Sequence, residues 1–165
     1  YSNSGCTTLI KSLSNNTVYM KAGANGYRLP TEAEWEAAAR GGSPTDTTNW
    51  GYPYAGSNTI GDVAWYWDNK PSTYTSPVGQ KAANLLGLHD MSGNVWEWCW
   101  DWYGSISTGT VTDPVGPTGG ASSGSLRVLR GGSCSIFASY CTVSFRAYIS
   151  PDIRSNTYGF RVVSP

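Results

Sequence analysis

The chain has 165 residues, of which 39% are hydrophobic, a length and composition that suit one globular domain with its own core. Its 11 acidic and 11 basic residues balance, so the sequence offers neither a basic nucleic-acid-binding surface nor an acidic disordered tail. No apolar run approaches the roughly 20 residues of a membrane span, and we expect no membrane insertion by this segment.

The high content of aromatic residues and glycine indicates what kind of fold to expect. The chain has 8 Trp, 11 Tyr, 20 Gly and 9 Pro, and only 13% of its residues are charged. Large aromatic side chains can anchor irregular backbone that has few regular hydrogen bonds. We therefore expect a loop-rich α+β domain with short strands and few helices, spanning residues 1–165.

Two short strands and a helix are predicted in the first quarter of the chain. Residues 7–11 and 17–20 have strand character, and the polar residues 14–16 between them suit a hairpin turn. A helix begins after Thr31, and Glu34 completes a capping box with it. Because the helix is short and ends at two glycines, it needs Trp35 buried against a sheet to be stable.

Residues 43–83 are rich in Gly, Pro, Asn and Ser and are expected to be mostly irregular. A long segment of this kind inside a compact domain must be held by buried aromatic side chains, by metal, or by both. The aromatic residues available for this role are Trp50, Tyr52, Tyr54, Trp65 and Trp67.

The clearest strand is predicted at residues 95–103. Side chains alternate there between an aromatic set and a second set, namely Trp96, Trp98, Trp100 and Trp102 against Glu97, Cys99 and Asp101. This is the two-residue period of a strand, and we expect Trp35, Trp96 and Trp98 in the core. Residues 104–125 are predicted to be a flexible loop, and residues 126–129 and 159–163 to be strands.

The four cysteines, Cys6, Cys99, Cys134 and Cys141, form no CxxC motif, and His89 is the only histidine. A zinc site is therefore not expected. Cys134 and Cys141 are close enough in sequence to form a disulfide, and the alternative is that all four are free or buried thiols.

The last 37 residues, from Leu129 onwards, combine two classes of residue. One class looks fixed and comprises Arg130–Ser133, Arg146, Pro151–Asp152, Arg154 and Gly159–Arg161. The other class follows neither a helical nor a strand period. Each of its members has a codon that differs from an Asn codon only at the two adenines, and the segment lacks Lys, Glu, Gln, Met, Trp and His. This is the pattern that adenine-directed mutagenesis leaves.

The second class predicts a variable binding surface within residues 129–158, because a surface selected for variability suits binding and not catalysis. The predicted ligand-binding residues are Leu129, Ser135, Ile136, Phe137, Tyr140, Ser144, Tyr148, Ile149, Ser150, Ile153, Ser155, Asn156, Thr157 and Tyr158. Phe145 fits the same codon pattern. The alternative is an ordinary loop-rich C-terminus that lacks six residue types by chance.

Three sequence motifs resemble those of a known family and occur in the same order as in that family. They are GYRLPTEAEWE at residues 26–36, GLHDMSGNVWEW at 87–98 and RVLRGGS at 127–133, followed by Pro151-Asp152 and Gly159-Phe160-Arg161. The chain is similar to the formylglycine-generating-enzyme type of the C-type lectin fold, the family of sulfatase-modifying factors. Residues 1–25 do not show the strand and helix that usually come first in this family, a pattern expected of a chain that lacks upstream elements.

Within that family, the tail resembles the variable proteins of diversity-generating retroelements, in which an error-prone reverse transcriptase rewrites the end of the gene. The resemblance implies a non-enzymatic ligand- or receptor-binding protein, as in adhesion proteins of phages, other viruses and bacterial surfaces. The expected partner is a protein or glycan on a host or neighbouring cell. The expected location is the cell surface, the extracellular space or a virion, and no nucleic-acid partner is expected.

The resemblance also offers an alternative, a copper-dependent cysteine oxidase. Enzymes of the family hold copper with two cysteines spaced C-x4-C shortly after the Gly-Gly-Ser. Aligned on that motif, the second cysteine is Cys141, but the first falls on Ile136, and Cys134 is two positions too early. Copper(I) prefers thiolate ligands, so we expect no copper and no catalytic residue here.

A structural calcium is the cofactor that the resemblance does imply. The matching ligands are the side chains of Asp90 and Glu97 and the backbone carbonyls of Gly93 and Val95. Two carboxylates and a glycine-assisted turn suit calcium. The alternative is that both carboxylates form hydrogen bonds or an ion pair without metal, with Arg28 as a candidate partner.

Overall fold

The structure is a computed structural model that describes residues 23, 25–42, 45, 50–72, 74–106, 108–117 and 126–164. Contacts divide the chain into two compact units, Tyr1–Arg28 with Val162–Pro165, and Leu29–Arg161. In the first unit, Arg28 and Val163 form an antiparallel bridge with backbone hydrogen bonds of 3.0 and 2.9 Å. The strands predicted at residues 7–11 and 17–20 lie outside the described residues, and one continuous domain over residues 1–165 stays a prediction.

The second unit contains short helices and strands. They are α1 (Glu32–Ala39), α2 (Ile60–Val63), β1 (Ala64–Trp65), β2 (Ser92–Gly93), β3 (Trp96–Trp102), β4 (Arg127–Arg130), a one-turn 3-10 helix (Ala138–Tyr140), β5 (Ala147–Ile149) and β6 (Tyr158–Gly159). Four strands form a sheet with the order β5-β4-β3-β6. Strands β3, β4 and β5 are antiparallel neighbours, whereas β6 runs parallel to β3. A separate parallel pair is formed by β1 and β2.

Helix α1 forms as its capping signals predict. The Glu34 amide donates to Thr31 Oγ1 at 3.2 Å, and the Thr31 amide donates to Glu34 Oε2 at 2.8 Å. The helix packs on β3 and β4 and buries Trp35 against them. The core around this contact contains Trp35, Ala39, Ala55, Met91, Cys99, Val128 and Val143. The predicted burial of Trp35 against a sheet is therefore confirmed.

Strand β3 is confirmed, but the face that it buries is not the aromatic one. Glu97, Cys99 and Asp101 are buried, whereas the tryptophans after Trp96 are only half-buried. Helix α1 lies over the carboxylate face, where Trp35 Nε1 donates to Glu97 at 2.6 Å and the Glu32 amide donates to Asp101 at 2.7 Å. Carboxylates can be buried when they accept such bonds. The prediction that Trp98 belongs to the core was therefore wrong, and that for Trp96 is confirmed.

In the described part of residues 43–83, aromatic side chains hold the chain less than predicted. None of the five aromatic residues proposed to hold this segment is fully buried, and Trp67 is 51% exposed. The segment is instead held by the short α2–β1 unit, whose strand pairs with β2, and by polar contacts such as Ala55 N–H to Ser92 Oγ at 3.1 Å. Side-chain hydrogen bonds of this kind leave no periodic pattern in the sequence, so α2 and β1 were not predicted.

The C-terminal strands differ in extent from the prediction. Strand β4 lies one residue later than expected, and the last strand, predicted at residues 159–163, is observed at Tyr158–Gly159. Strand β5 falls inside the predicted variable region, where the side chains do not alternate in type, and was missed. Residues 104–106 and 108–117 contain no helix or strand, as expected of this loop. Within the described residues, no helix has the length and apolar character needed to cross a membrane.

Candidate ligand-binding surface

The predicted ligand-binding residues after Leu129 lie in turns, in the 3-10 helix and in or beside the edge strands β5 and β6. None of them is fully buried. The exposed ones are Phe137, Tyr140, Ser144, Tyr148, Ile153, Ser155 and Asn156, and the half-buried ones are Ser135, Ile136, Ile149, Ser150, Thr157 and Tyr158. We call these residues the variable surface.

Leu129 does not belong to this surface, and its inclusion was wrong. It lies in the inner strand β4, opposite Trp98 on one side and Ala147 on the other, and its side chain is only 2% exposed. The codon pattern that selected Leu129 carries no information about exposure. A change at this position would therefore act on the core.

Aromatic contacts bring distant parts of the variable surface together around the start of β3. The rings of Tyr140 and Phe145 lie 4.9 Å apart, and Phe145 lies 6.1 Å from Trp96. The Trp96 amide donates to the Thr157 carbonyl at 2.8 Å. The 3-10 helix and the segment leading into β6 thus meet at one fixed tryptophan.

Two other aromatic members of the variable surface have different neighbours. Phe137 lies 6.2 Å from Trp67, between ring centroids, and both side chains are exposed. Tyr148 instead packs at 4.2 Å against Tyr103, just beyond the opposite end of β3. The contacts therefore connect Phe137 to the fixed part of the domain and place Tyr148 apart from the Trp96 cluster.

Two arginines fasten the C-terminal segment to helix α1. Arg130 is fully buried, pairs with Glu36, lies 3.5 Å from Glu32, and donates to the carbonyls of Val143 and Phe145. Arg146 donates to both oxygens of Glu32 at 2.6 and 2.7 Å. This bidentate bond raises the pKa of Arg146. Such planar, charge-assisted pairs fix geometry as well as adding energy.

The two remaining arginines of the tail, Arg154 and Arg161, differ in their contacts. Arg161 donates to both oxygens of Glu97 at 2.6 Å and to the His89 carbonyl at 3.2 Å. Asp152 accepts from Ser150, and Arg154 is exposed without a hydrogen-bond or ion-pair partner among the described residues. The carboxylates that hold the arginines come from α1 and β3, not from the tail itself.

Two glycines let the chain turn beneath the variable surface. Gly131 and Gly132 have φ angles of 90° and 78°, a region that favours glycine. A Cβ on Gly132 would lie 2.7 Å from Cys141 Sγ and 2.9 Å from the Tyr140 carbonyl oxygen. The Gly-Gly pair is therefore needed for both its conformation and its close contact.

The cysteines of this region are buried free thiols. Cys134 and Cys141 are both inaccessible to solvent, Cys99 is buried as well, and none of the three forms a disulfide. Burial raises the pKa of Cys141 to about 12. A thiol with such a pKa is protonated at neutral pH, and the thiolate is the form that binds metal. Ile136 stands at the aligned position of the other copper ligand.

The residues predicted to bind calcium fit a cation only in part. Asp90 Oδ2 accepts from the Gly79 amide at 2.7 Å, and Oδ1 is buried without a hydrogen-bond partner among the described residues. Glu97 does not fit while Arg161 and Trp35 occupy its oxygens, because an ion there would meet the positive guanidinium. No group of three His, Cys, Asp or Glu side chains in the described part of the chain is placed to hold a metal. Calcium at Asp90, Gly93, Val95 and Glu97 stays a prediction.

The fold agrees with that of the proteins to which the chain is similar. The chain belongs to the family of sulfatase-modifying factor enzyme 1-like domains, whose model matches residues 6–165. Among solved structures, Treponema denticola variable protein 1 is 45% identical and superposes with a TM-score of 0.71, over 84% of this chain and 47% of its own. The predicted family, C-type lectin fold and likeness to variable proteins are confirmed.

Other relatives carry different functions. The formylglycine-generating enzyme of Thermomonospora curvata is 38% identical over 155 residues, which is 82% of this chain and 48% of the enzyme. The chaperone protein LppX of Paenibacillus barcinonensis is 47% identical over 120 residues, 63% of this chain and 41% of its own. The chain thus spans about half the length of these relatives or less, and the family includes both enzymes and proteins that are not named as enzymes.

Proposed function

We propose that this domain is a non-enzymatic ligand-binding domain whose C-terminal surface is diversified by a retroelement. The observation that carries the proposal is the division of the tail into two environments. Arg130, Arg146 and Gly132 are held by bonds or close contacts to the rest of the fold, while the residues of the variable surface are exposed or half-buried between them.

This arrangement lets side chains change without loss of the fold. Exposed substitutions away from special features usually alter stability by no more than about 0.5 kcal/mol. The hydrogen bonds that fasten the segment to helix α1 and strand β3 are made by the fixed arginines and by backbone groups, so they do not depend on the side chains that vary. A surface built in this way can present many different chemistries on one backbone.

The composition of the variable surface favours a protein or glycan partner on a host or neighbouring cell surface. Tyrosine and serine predominate among its side chains together with isoleucine, and tyrosine offers a large contact area and a polar tip at low entropy cost. The proposed location is the cell surface, the extracellular space or a virion.

The competing function is copper-dependent oxidation of a cysteine, which the enzymes of the family represent. Two observations count against it. Ile136 stands at one aligned copper-ligand position, and Cys141 is buried, which raises the pKa of its thiol to about 12. Purified protein supplied with copper(I) should not convert the cysteine of a sulfatase peptide to formylglycine. Conversion above the level of a Cys141→Ala control would establish the oxidase instead.

A display library tests binding directly. The codons of the variable surface would be randomised at the adenines of an Asn codon, and the library would be selected on immobilised lysozyme as a probe protein. We expect specific binders to be enriched. A matched control library would randomise exposed positions elsewhere, such as Thr75, Val78, Leu85 and Leu86. Enrichment that is absent, or equal in the two libraries, would argue against the proposed function.

A further inference from the structure

A fixed tryptophan lies beside the variable surface. Trp67 is 51% exposed, and its ring centroid is 6.2 Å from that of Phe137, which is 61% exposed. The Trp67 amide donates to the Ile136 carbonyl at 3.0 Å, so the backbone of the two segments is joined at the same point. Two adjacent aromatic rings thus face solvent, one on the variable surface and one outside it.

The turn that carries Trp67 is held in one conformation. Asn69 Oδ1 accepts from the Tyr66 amide at 2.9 Å, and Asn69 Nδ2 donates to the Ala64 carbonyl at 2.8 Å. The Lys70 amide closes the turn on the Tyr66 carbonyl at 3.0 Å, and Lys70 Nζ lies 4.1 Å from the centre of the Trp67 ring. An exposed ring that is already ordered loses little conformational freedom on binding.

Trp67 is also outside the reach of the proposed diversification. It lies upstream of residue 129, and no change confined to the two adenines of an Asn codon can produce a Trp codon. A partner that contacts Phe137 therefore meets the same indole whichever residue is encoded at position 137.

We infer that Trp67 is a constant anchor of the binding site, with the neighbouring variable residues supplying specificity around it. The inference rests on the proposed ligand-binding function. Tryptophan is among the side chains that contribute most to protein–protein affinity when they are buried near the centre of an interface. The anchor would bury against an apolar side chain of a protein partner.

The turn favours a protein over a glycan as the occupant. Sugar recognition combines aromatic stacking with planar polar side chains that reach several hydroxyls. Both ends of the Asn69 amide are bonded to the backbone of its own turn, so this side chain is not available to bond sugar hydroxyls. The exposed pair of Trp67 and Phe137 offers apolar area, which suits an apolar side chain.

The test uses binders selected on lysozyme from the library described above. Each would be measured with Trp67→Ala and with Leu85→Ala, a control at another exposed apolar residue. We expect Trp67→Ala to raise Kd at least about tenfold in most binders. The control should leave Kd within about twofold. Melting temperatures would establish that each variant is folded, and Trp67→Phe would retain part of the affinity.

Hydrogen exchange provides a second readout that needs no substitution. Amides of residues 66–70 should gain protection when lysozyme binds. Binders that are indifferent to Trp67→Ala and give no protection there would overturn the constant anchor but leave the proposed function intact. A library without binders would overturn both. A parallel selection on dextran in which Trp67 matters, while lysozyme binders ignore it, would replace the protein partner with a glycan.

Discussion

Asp101 is a carboxyl group whose ionisation opposes folding. Burial raises its pKa from 3.8 to about 6, more than the amide of Glu32 and the charge of Arg127 lower it. Because the folded-state pKa is the higher one, its effect is to make stability fall as pH rises from about 4 to about 6. The difference between 3.8 and about 6 corresponds to about 3 kcal/mol as an upper limit.

Replacing this carboxyl group tests that effect. Asp101→Asn keeps an oxygen for the Glu32 amide but cannot ionise, so the variant should be more stable than the parent at pH 7.5 and nearly equal at pH 4. Urea unfolding at both pH values would measure the gap. Asp113→Asn, at an exposed position, should give no pH-dependent gap. A gap for Asp101→Asn that is the same at both pH values would contradict the account.

Gly132 tests whether close packing beneath the variable surface is required. Gly132→Ala combines an unfavourable φ of 78° with a clash against Cys141, and we expect a loss of about 3 kcal/mol or more. Gly87→Ala is the matched control, since Gly87 has a φ of 74° but no neighbour within 4 Å of the added carbon. It should cost only about 1 to 2 kcal/mol. Equal losses in denaturant unfolding would show that the clash is relieved.

At the scale of elements, we expect the hydrogen bonds between Arg146 and helix α1 to keep strand β5 folded against the sheet. Arg146→Ala removes two bonds to Glu32 and one to the Gly104 carbonyl, and we expect a loss of about 2 to 3 kcal/mol. Hydrogen exchange of residues 144–150 should accelerate. Arg154→Ala, at an exposed arginine of the same segment, should change neither quantity. Unaltered exchange in Arg146→Ala would mean that β5 is held by its strand pairing alone.

The ion pair between Glu97 and Arg161 leads to a prediction about how calcium affects the melting temperature. While Arg161 occupies Glu97, neither calcium nor EDTA should alter the melting temperature. Arg161→Ala should lower the melting temperature, and millimolar calcium should restore part of it by binding the freed carboxylate and Asp90. Adding Asp90→Asn to that variant should abolish the restoration. A fall in the melting temperature of the parent protein with EDTA would instead support the four-ligand calcium site.

How far these elements could be predicted depends on how local their signals are. The capping box of α1 and the alternation of β3 are complete within a few residues, so both were found. The buried face of β3 depends on bonds from Trp35 and Glu32, which are 62 and 69 residues away from their acceptors. Either face of the strand is consistent with the sequence pattern, and the apolar one was chosen wrongly for that reason.

For the whole molecule, the separation between core and variable surface can be measured with two residues of similar size. Leu129→Ala should cost about 2 to 5 kcal/mol, because it empties space in the core. Ile153→Ala, at an exposed residue with the same codon pattern, should change stability by no more than about 0.5 kcal/mol. Chemical denaturation of both variants would give the comparison. Similar losses would mean that the variable surface contributes to the core.

The sequence predicted which segment of the chain carries the candidate site, but it did not predict all of the residues that belong to the site. The codon pattern identified one segment of the chain, and every predicted ligand-binding residue in it except Leu129 is exposed or half-buried. The pattern could not separate Leu129, whose burial is set by pairing with β3 and β5. It also could not include Trp67, which reaches the surface through a contact between segments about 70 residues apart.

The ion pairs that fasten the tail have a consequence for the gene. Every Glu codon contains adenine, whereas three of the six Arg codons do not, and glycine can always be encoded without it. In each pair the glutamate, Glu32, Glu36 or Glu97, lies upstream of the variable region, and the arginine lies at its start, within it or just after it. Under the proposed diversification, Arg130, Arg146, Gly131 and Gly132 can be written in codons that adenine errors cannot alter. The residues that hold the scaffold could thus be copied faithfully in the same reaction that rewrites their neighbours.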